Sequence, residues 1–205
     1  MLVLAGLNYA ARFCGGEIPE DVAYRYSSSV AALVQYGLML GILLLIARGL
    51  PAQEAFALRR PASWRRALAY AGAAIGAIWL ASAALSPFLD ATEEQGLVPQ
   101  EWDSSRAGAF VAFFLVVTLV APVVEELTYR GLGFTLLAPL GVRATILATG
   151  VLFAVAHGLL LALPVLTVFG VAVGWLRART DSVYPPMILH GVFNGTALLV
   201  SVAIA

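Results

Sequence analysis

The sequence predicts an all-α, polytopic transmembrane helical bundle with about six spans plus a short N-terminal helix. Three observations carry that expectation. The 205 residues are 61% hydrophobic, against about 45–50% apolar in an ordinary soluble domain. Mean hydropathy is +0.90. The apolar residues fall into runs of near-bilayer length separated by short charged loops, as spanning helices require. One integral-membrane domain over residues 1–205 uses the whole length.

Charge and cysteine content exclude several classes. Net charge is zero, which argues against a nucleic-acid partner. All 12 basic residues are Arg; with the heavy Ala content this points to a GC-rich bacterial genome and a multi-pass inner-membrane protein. Cys14 is the only cysteine, so no internal disulfide forms.

The elements follow in order. Met1 to Phe13 is apolar but short and has no basic n-region, and Ala11-Arg12-Phe13-Cys14 is a poor lipoprotein cleavage site. It reads as an interfacial or partly inserted helix rather than a signal peptide. Spans are expected over about Ser29–Ala47, Ala67–Leu89, Ala107–Leu127, Ala144–Leu163, Val165–Leu176 and Pro186–Ile204. Pro164 is expected to separate the fourth and fifth by a tight turn or break. Arg48, Arg59, Arg60, Arg65 and Arg66 follow the first span, Arg143 the third, and Arg177 and Arg179 the fifth. Asp90, Glu93, Glu94, Glu101 and Asp103 fall on the opposite side. The positive-inside rule makes the basic side cytoplasmic and puts both termini outside. Four GxxxG spacings, Gly37/Gly41, Gly72/Gly76, Gly170/Gly174 and Gly191/Gly195, allow close helix approach, although a Gly-rich chain also produces them by chance.

Three fragments place strongly polar side chains inside these apolar runs. They are Glu125-Glu126-Leu127-Thr128-Tyr129-Arg130, Phe153-Ala154-Val155-Ala156-His157 and His190-Gly191-Val192-Phe193-Asn194. Polar residues in lipid are costly and mark candidate functional sites. Adjacent helical residues point about 100° apart, so Glu125 and Glu126 face different surroundings. Arg130 lies four residues after Glu126, in the favourable order for an ion pair. Glu125 lacks that partner and suits general acid–base work. Read alone, the three charges are ordinary residues of a helix end, and Pro122 upstream would kink the helix and free carbonyls in either case.

Phe153 and His157 share a helix face, with Phe153 walling the imidazole. His190 and Asn194 share another, presenting an imidazole and a carboxamide suited to one developing oxyanion. Either histidine alone reads as an interhelical hydrogen bond; the co-occurrence with the paired glutamates raises the catalytic reading. Counting from Ala144, His157 falls about 20 Å into the membrane, deeper than Glu125, His190 and Asn194. A later start of that helix, or a kink near Gly150, would remove the mismatch.

The three fragments resemble, in order, the EExxxR, FxxxH and HxxxN signature of the CPBP family, the CAAX-type prenyl-protein endopeptidases and related bacterial Abi proteins. The resemblance covers about residues 107–200, and Gly131 also fits. It implies an intramembrane glutamic endopeptidase acting on a membrane-associated protein or peptide. Glu125 and His157 would activate water, His190 and Asn194 would hold the oxyanion, and Glu126, Arg130 and Phe153 would support them, with no cofactor. One alternative is zinc chemistry with Glu125, His157 and His190 as ligands, although there is no HExxH. Others are a proton-coupled transporter, since Glu and His also make proton relays, and a non-proteolytic immunity or scaffold protein.

Overall fold

A computed structural model of the chain describes residues 21–89, 99 and 101–203. Among these, every regular element is helical. The helix expected over Met1–Phe13, Cys14 and the acidic residues Asp90, Glu93 and Glu94 lie outside the described residues.

Six helices build the bundle: α1 Tyr26–Ile46, α2 Trp64–Leu85, α3 Ser104–Leu140, α4 Val142–Ala156, α5 Leu163–Thr180 and α6 Tyr184–Ala203. Four of them, α1, α2, α3 and α6, are long and apolar enough to cross a bilayer, where six spans were expected. The difference lies in α4 and α5. The chain leaves α4 at Ala156 because Gly158 turns it with a φ of +68°, a value that suits glycine. Fifteen residues of α4 make only about 22 Å. Helix α5 carries Arg177 and Arg179 in its last turn and packs along α4, and these two helices are not among the four that length and hydropathy mark as candidate spans. Pro164 follows the turn that separates α4 from α5, as expected. It sits in the first turn of α5, where its missing N–H costs nothing.

The third span is also longer than expected. Helix α3 runs 37 residues without interruption, about 55 Å against a hydrocarbon core of about 30 Å. Two π-helical stretches, Val116–Val120 and Leu127–Gly133, lie within it. Glu125 and Glu126 sit between them, in mid-helix and buried, rather than at a helix end meeting water.

Helix α5 lies at the centre, packed against α4, α2 and α6. The main core joins Ala74 and Ile78 of α2, Tyr129 of α3, Phe153 of α4, Phe169, Val173 and Leu176 of α5, and Leu189 of α6. Gly150 and Gly170 let α4 and α5 cross in backbone contact: a Cβ on Gly170 would lie 2.6 Å from the Gly150 carbonyl oxygen. Of the four GxxxG spacings, Gly170/Gly174 and Gly191/Gly195 are thus used in packing. Gly37, Gly41, Gly72 and Gly76 meet nothing among the described residues.

Leu38, Leu45, Leu80, Leu119, Ile188 and Leu199 point outward and are more than half exposed. A continuous apolar exterior of this kind suits lipid rather than water. The loop carrying Arg59, the start of α4 and the end of α5 meet at one end of the bundle, where the Arg59 and Arg177 side chains both reach the Asp181 carboxylate, at 2.6 Å and 3.0 Å. At the other end, Asp21, Asp103 and Arg106 form a second charged cluster beside Tyr24.

Candidate active site

The register of the α3–α4 hairpin sets the site. Tyr129 lies 11 residues before Leu140 and Phe153 lies 11 residues after Val142. Their rings meet edge to face at 5.5 Å, so equal counts from the turn give equal heights. Glu125 lies 15 residues before Leu140 and His157 15 after Val142, each about one turn beyond the Tyr129–Phe153 contact. Helix α4 starts at Val142, not later than expected, and α3 continues to Leu140, so Glu125 lies deeper along α3 than a helix ending near Leu127 would put it.

Glu126 and Arg130 are both fully buried and form an ion pair at 3.1 Å. The other arm of Arg130 donates to the Gly170 carbonyl at 2.7 Å, and its guanidinium lies 4.7 Å from the Phe153 ring centre. The Arg130 carbonyl accepts from Arg177 Nε at 2.9 Å. A buried cation is tolerable only when paired; here both terminal nitrogens have partners, and Nε has none among the described residues.

The same Glu126 oxygen that meets Arg130 also accepts from His190 Nδ1, at 2.8 Å. His190 Nε2 then faces Glu125, 3.9 Å from its Oε2. The other Glu125 oxygen accepts from the Tyr36 hydroxyl of α1 at 2.6 Å. Glu125 Oε2 is buried and has no partner. His190 itself is buried between the Phe153 and Phe169 rings, 5.7 Å and 4.9 Å away.

His157, just past the end of α4, bonds the Phe153 carbonyl through Nδ1 at 2.8 Å. A carbonyl only accepts, so Nδ1 carries the hydrogen and the neutral ring keeps its lone pair on Nε2. Its ring lies 4.5 Å from that of Phe153.

Asn194 donates from Nδ2 to the Val117 carbonyl at 3.1 Å. Pro122 explains why that carbonyl is available. Proline has no N–H, so the residue five positions earlier loses its π-type donor. Thr118, four positions before Pro122, is freed in the same way, and a Cβ on Gly191 would lie 2.5 Å from its carbonyl oxygen. Gly191 therefore lets α6 close against this turn of α3, and Asn194 keeps a second amide hydrogen besides the one given to Val117.

Among the described residues no three His, Cys, Asp or Glu side chains are gathered so as to hold a metal ion. Glu125, His157 and His190 do not make the three-ligand set a catalytic zinc needs, and no step below passes through a metal.

The three fragments are thus drawn to the face where α3, α4 and α6 meet, against α5. Residues 107–196 match the type II CAAX prenyl endopeptidase Rce1-like family. That segment is similar to Rce1-like CAAX endopeptidase domains. The family implies a peptide hydrolase, and the match takes in all three fragments. No curated protein and no solved structure matches the chain.

Sequence reasoning missed Tyr36, Tyr129 and Arg177. Tyr36 left a signal: it is a tyrosine in the middle of α1, whereas membrane tyrosines favour the interfaces. Tyr129 lies within EExxxR and faces the core with its hydroxyl buried and unpartnered. Arg177 reads in sequence as an ordinary charge flanking a helix end.

Proposed function

We propose that the CAAX endopeptidase-like domain cleaves a peptide bond of a membrane-associated protein or peptide by direct attack of water. The observation that carries this reading is the unpartnered Glu125 Oε2, buried and facing His190 Nε2 across 3.9 Å. One water can bridge that interval.

In the proposed reaction the water oxygen bonds to the substrate carbonyl carbon and its proton passes to Glu125 Oε2. His157 orients the same water through the lone pair on Nε2. The carbonyl oxygen becomes an oxyanion. His190, held through Nδ1 by Glu126, and the second amide hydrogen of Asn194 stabilise it. Glu125 then returns its proton to the amide nitrogen as the C–N bond breaks, releasing an amine and a carboxylic acid. Glu126 and Arg130 hold His190, and Phe153 walls both imidazoles. The bond cut lies nearer the basic end, which the Arg distribution makes cytoplasmic.

The test compares membrane proteomes of cells carrying the wild-type protein and Glu125→Gln at equal expression. The expected result is a precursor that keeps an extra terminal segment in the mutant alone. Indistinguishable proteomes would overturn the protease reading.

A further inference from the structure

The Tyr36–Glu125 contact crosses from α1, outside the matched segment, into the site. Tyr36 is the only side chain that hydrogen-bonds Glu125 among the described residues. A carboxylate can rotate about its last torsion and exchange its two oxygens, because that torsion is broad and two-fold. A donor on Oε1 removes this freedom and leaves Oε2 as the oxygen turned toward His190. The bond is also charge-assisted while Glu125 is ionised, and hence among the stronger kinds. We infer that Tyr36 is a positioning residue, whose hydroxyl holds Oε1 of Glu125 so that Oε2 serves as the base.

Two other buried donors, the Tyr129 hydroxyl and Arg130 Nε, have no hydrogen-bond partner among the described residues, yet neither bonds Glu125, and Tyr36 alone does. The other ionisable groups near Glu125 are Glu126, Tyr129 and Arg130 on its own helix and His190 on α6. Arg130 is committed to Glu126 and Gly170, and His190 Nδ1 to Glu126. Tyr36 is half-buried where α1 packs against α3, so its hydroxyl is presented to Glu125 from a fixed helix. The site would accordingly be incomplete in a protein reduced to the matched residues.

This inference rests on the protease reading, and two measurements separate their failures. The first is turnover of a farnesylated, internally quenched CAAX peptide by purified protein in detergent. Tyr36→Phe is expected to lower kcat about 10- to 100-fold, the range for losing a hydrogen bond to a charged group, with KM unchanged. The second needs no substrate. The Glu125 carboxylate infrared band is isolated by subtracting the Glu125→Gln spectrum. Tyr36→Phe should shift it, and 3-fluorotyrosine at position 36, a stronger donor of nearly the same shape, should shift it the opposite way. That second variant keeps the test open if Tyr36→Phe does not fold. A band that moves in neither variant, or a Tyr36→Phe kcat within twofold of wild type, would overturn the positioning role. Failure of the wild-type protein to cut the peptide counts against that substrate class and leaves the infrared result to decide on Tyr36.

Discussion

Glu126 and His190, 64 residues apart in sequence, are joined by a 2.8 Å hydrogen bond in the apolar centre of the bundle. The oxygen that accepts it also accepts from Arg130. One carboxylate oxygen therefore anchors both a cation and an imidazole. The imidazole's outward nitrogen is turned to Glu125 as a consequence, so Glu126 acts on the site through His190 rather than on a substrate.

Breaking this anchor should be costly. Removing one partner of a buried ion pair leaves the other charge unpaired, which costs about 3–5 kcal/mol. Glu126→Gln or Arg130→Met is expected to lower the thermal unfolding midpoint in detergent strongly. The joint change Glu126→Leu with Arg130→Met should recover part of the loss, because no lone charge remains. If each single variant melts like wild type, the pair is not the anchor described.

Glu125→Gln should behave differently. The amide keeps an oxygen for Tyr36 and nearly the same volume, so unfolding should shift little. Turnover should fall by about 10²–10⁴, the usual contribution of a general base. Equal unfolding midpoints with lost cleavage would separate the base from the anchor, and a Glu125→Gln protein that still cleaves would remove Glu125 from the mechanism.

Asn194 has two tasks that mutation can divide. One amide hydrogen satisfies the Val117 carbonyl; the other is proposed to meet the oxyanion. Asn194→Ala should lower stability by about 1–3 kcal/mol, the cost of an unsatisfied buried group, and lower kcat by about 10²–10³. Adding Pro122→Ala restores a backbone N–H to this turn of α3. It should restore stability and leave the kcat loss in place. Recovery of both by Pro122→Ala would show that Asn194 serves the backbone alone.

How far the sequence could be read follows from which interactions are local. The Glu126–Arg130 pair is an i, i+4 relation and needs only helical periodicity. The bundle class needs only hydropathy. The length of α3 was not legible, because Glu125, Glu126 and Arg130 look like a helix end until the partners that neutralise them, from α5 and α6, are known. The early end of α4 depended on Gly158 adopting a positive φ, which composition does not signal. The Tyr36 and Val117 contacts span 89 and 77 residues. No spacing rule reaches that far, and the link between Pro122 and Asn194 emerges only once α6 lies against that turn of α3.

The charged cluster at the start of α3 should outlast ordinary acid. Hydrogen bonds from Ser105 and then Arg106 hold the Asp103 carboxyl down at about 2, against about 3.9 for a free aspartate. A depressed value means the folded state prefers the ionised form. The stabilisation is fully present above about pH 4 and is lost as pH falls through about 2. Trp102 packs on Tyr24 and Phe110 beside this cluster, so its fluorescence should report the change. A midpoint near pH 2 that disappears in Asp103→Asn is expected; an unchanged midpoint in that variant would assign the transition to another group.

The two kinds of glycine spacing give opposite expectations. A Cβ on Gly170 would lie 2.6 Å from the Gly150 carbonyl oxygen and 2.8 Å from its Cα. Both contacts are backbone, which cannot yield as a side-chain tip can. Gly170→Ala should therefore force α4 and α5 apart and destabilise by about 1–3 kcal/mol or more. It should also weaken the bond between the Gly170 carbonyl and Arg130, and turnover should fall with stability. A Cβ on Gly72 meets nothing among the described residues. Gly72→Ala should be neutral, or stabilise α2 by up to about 1 kcal/mol through the lower entropy of alanine in the unfolded chain. Thermal unfolding of the two variants in one detergent checks both. Equal tolerance would mean that α4 and α5 do not cross at Gly150 and Gly170. Destabilisation by Gly72→Ala would mean that α2 has a close neighbour at that face, contributed by residues outside those described or by a second copy of the chain.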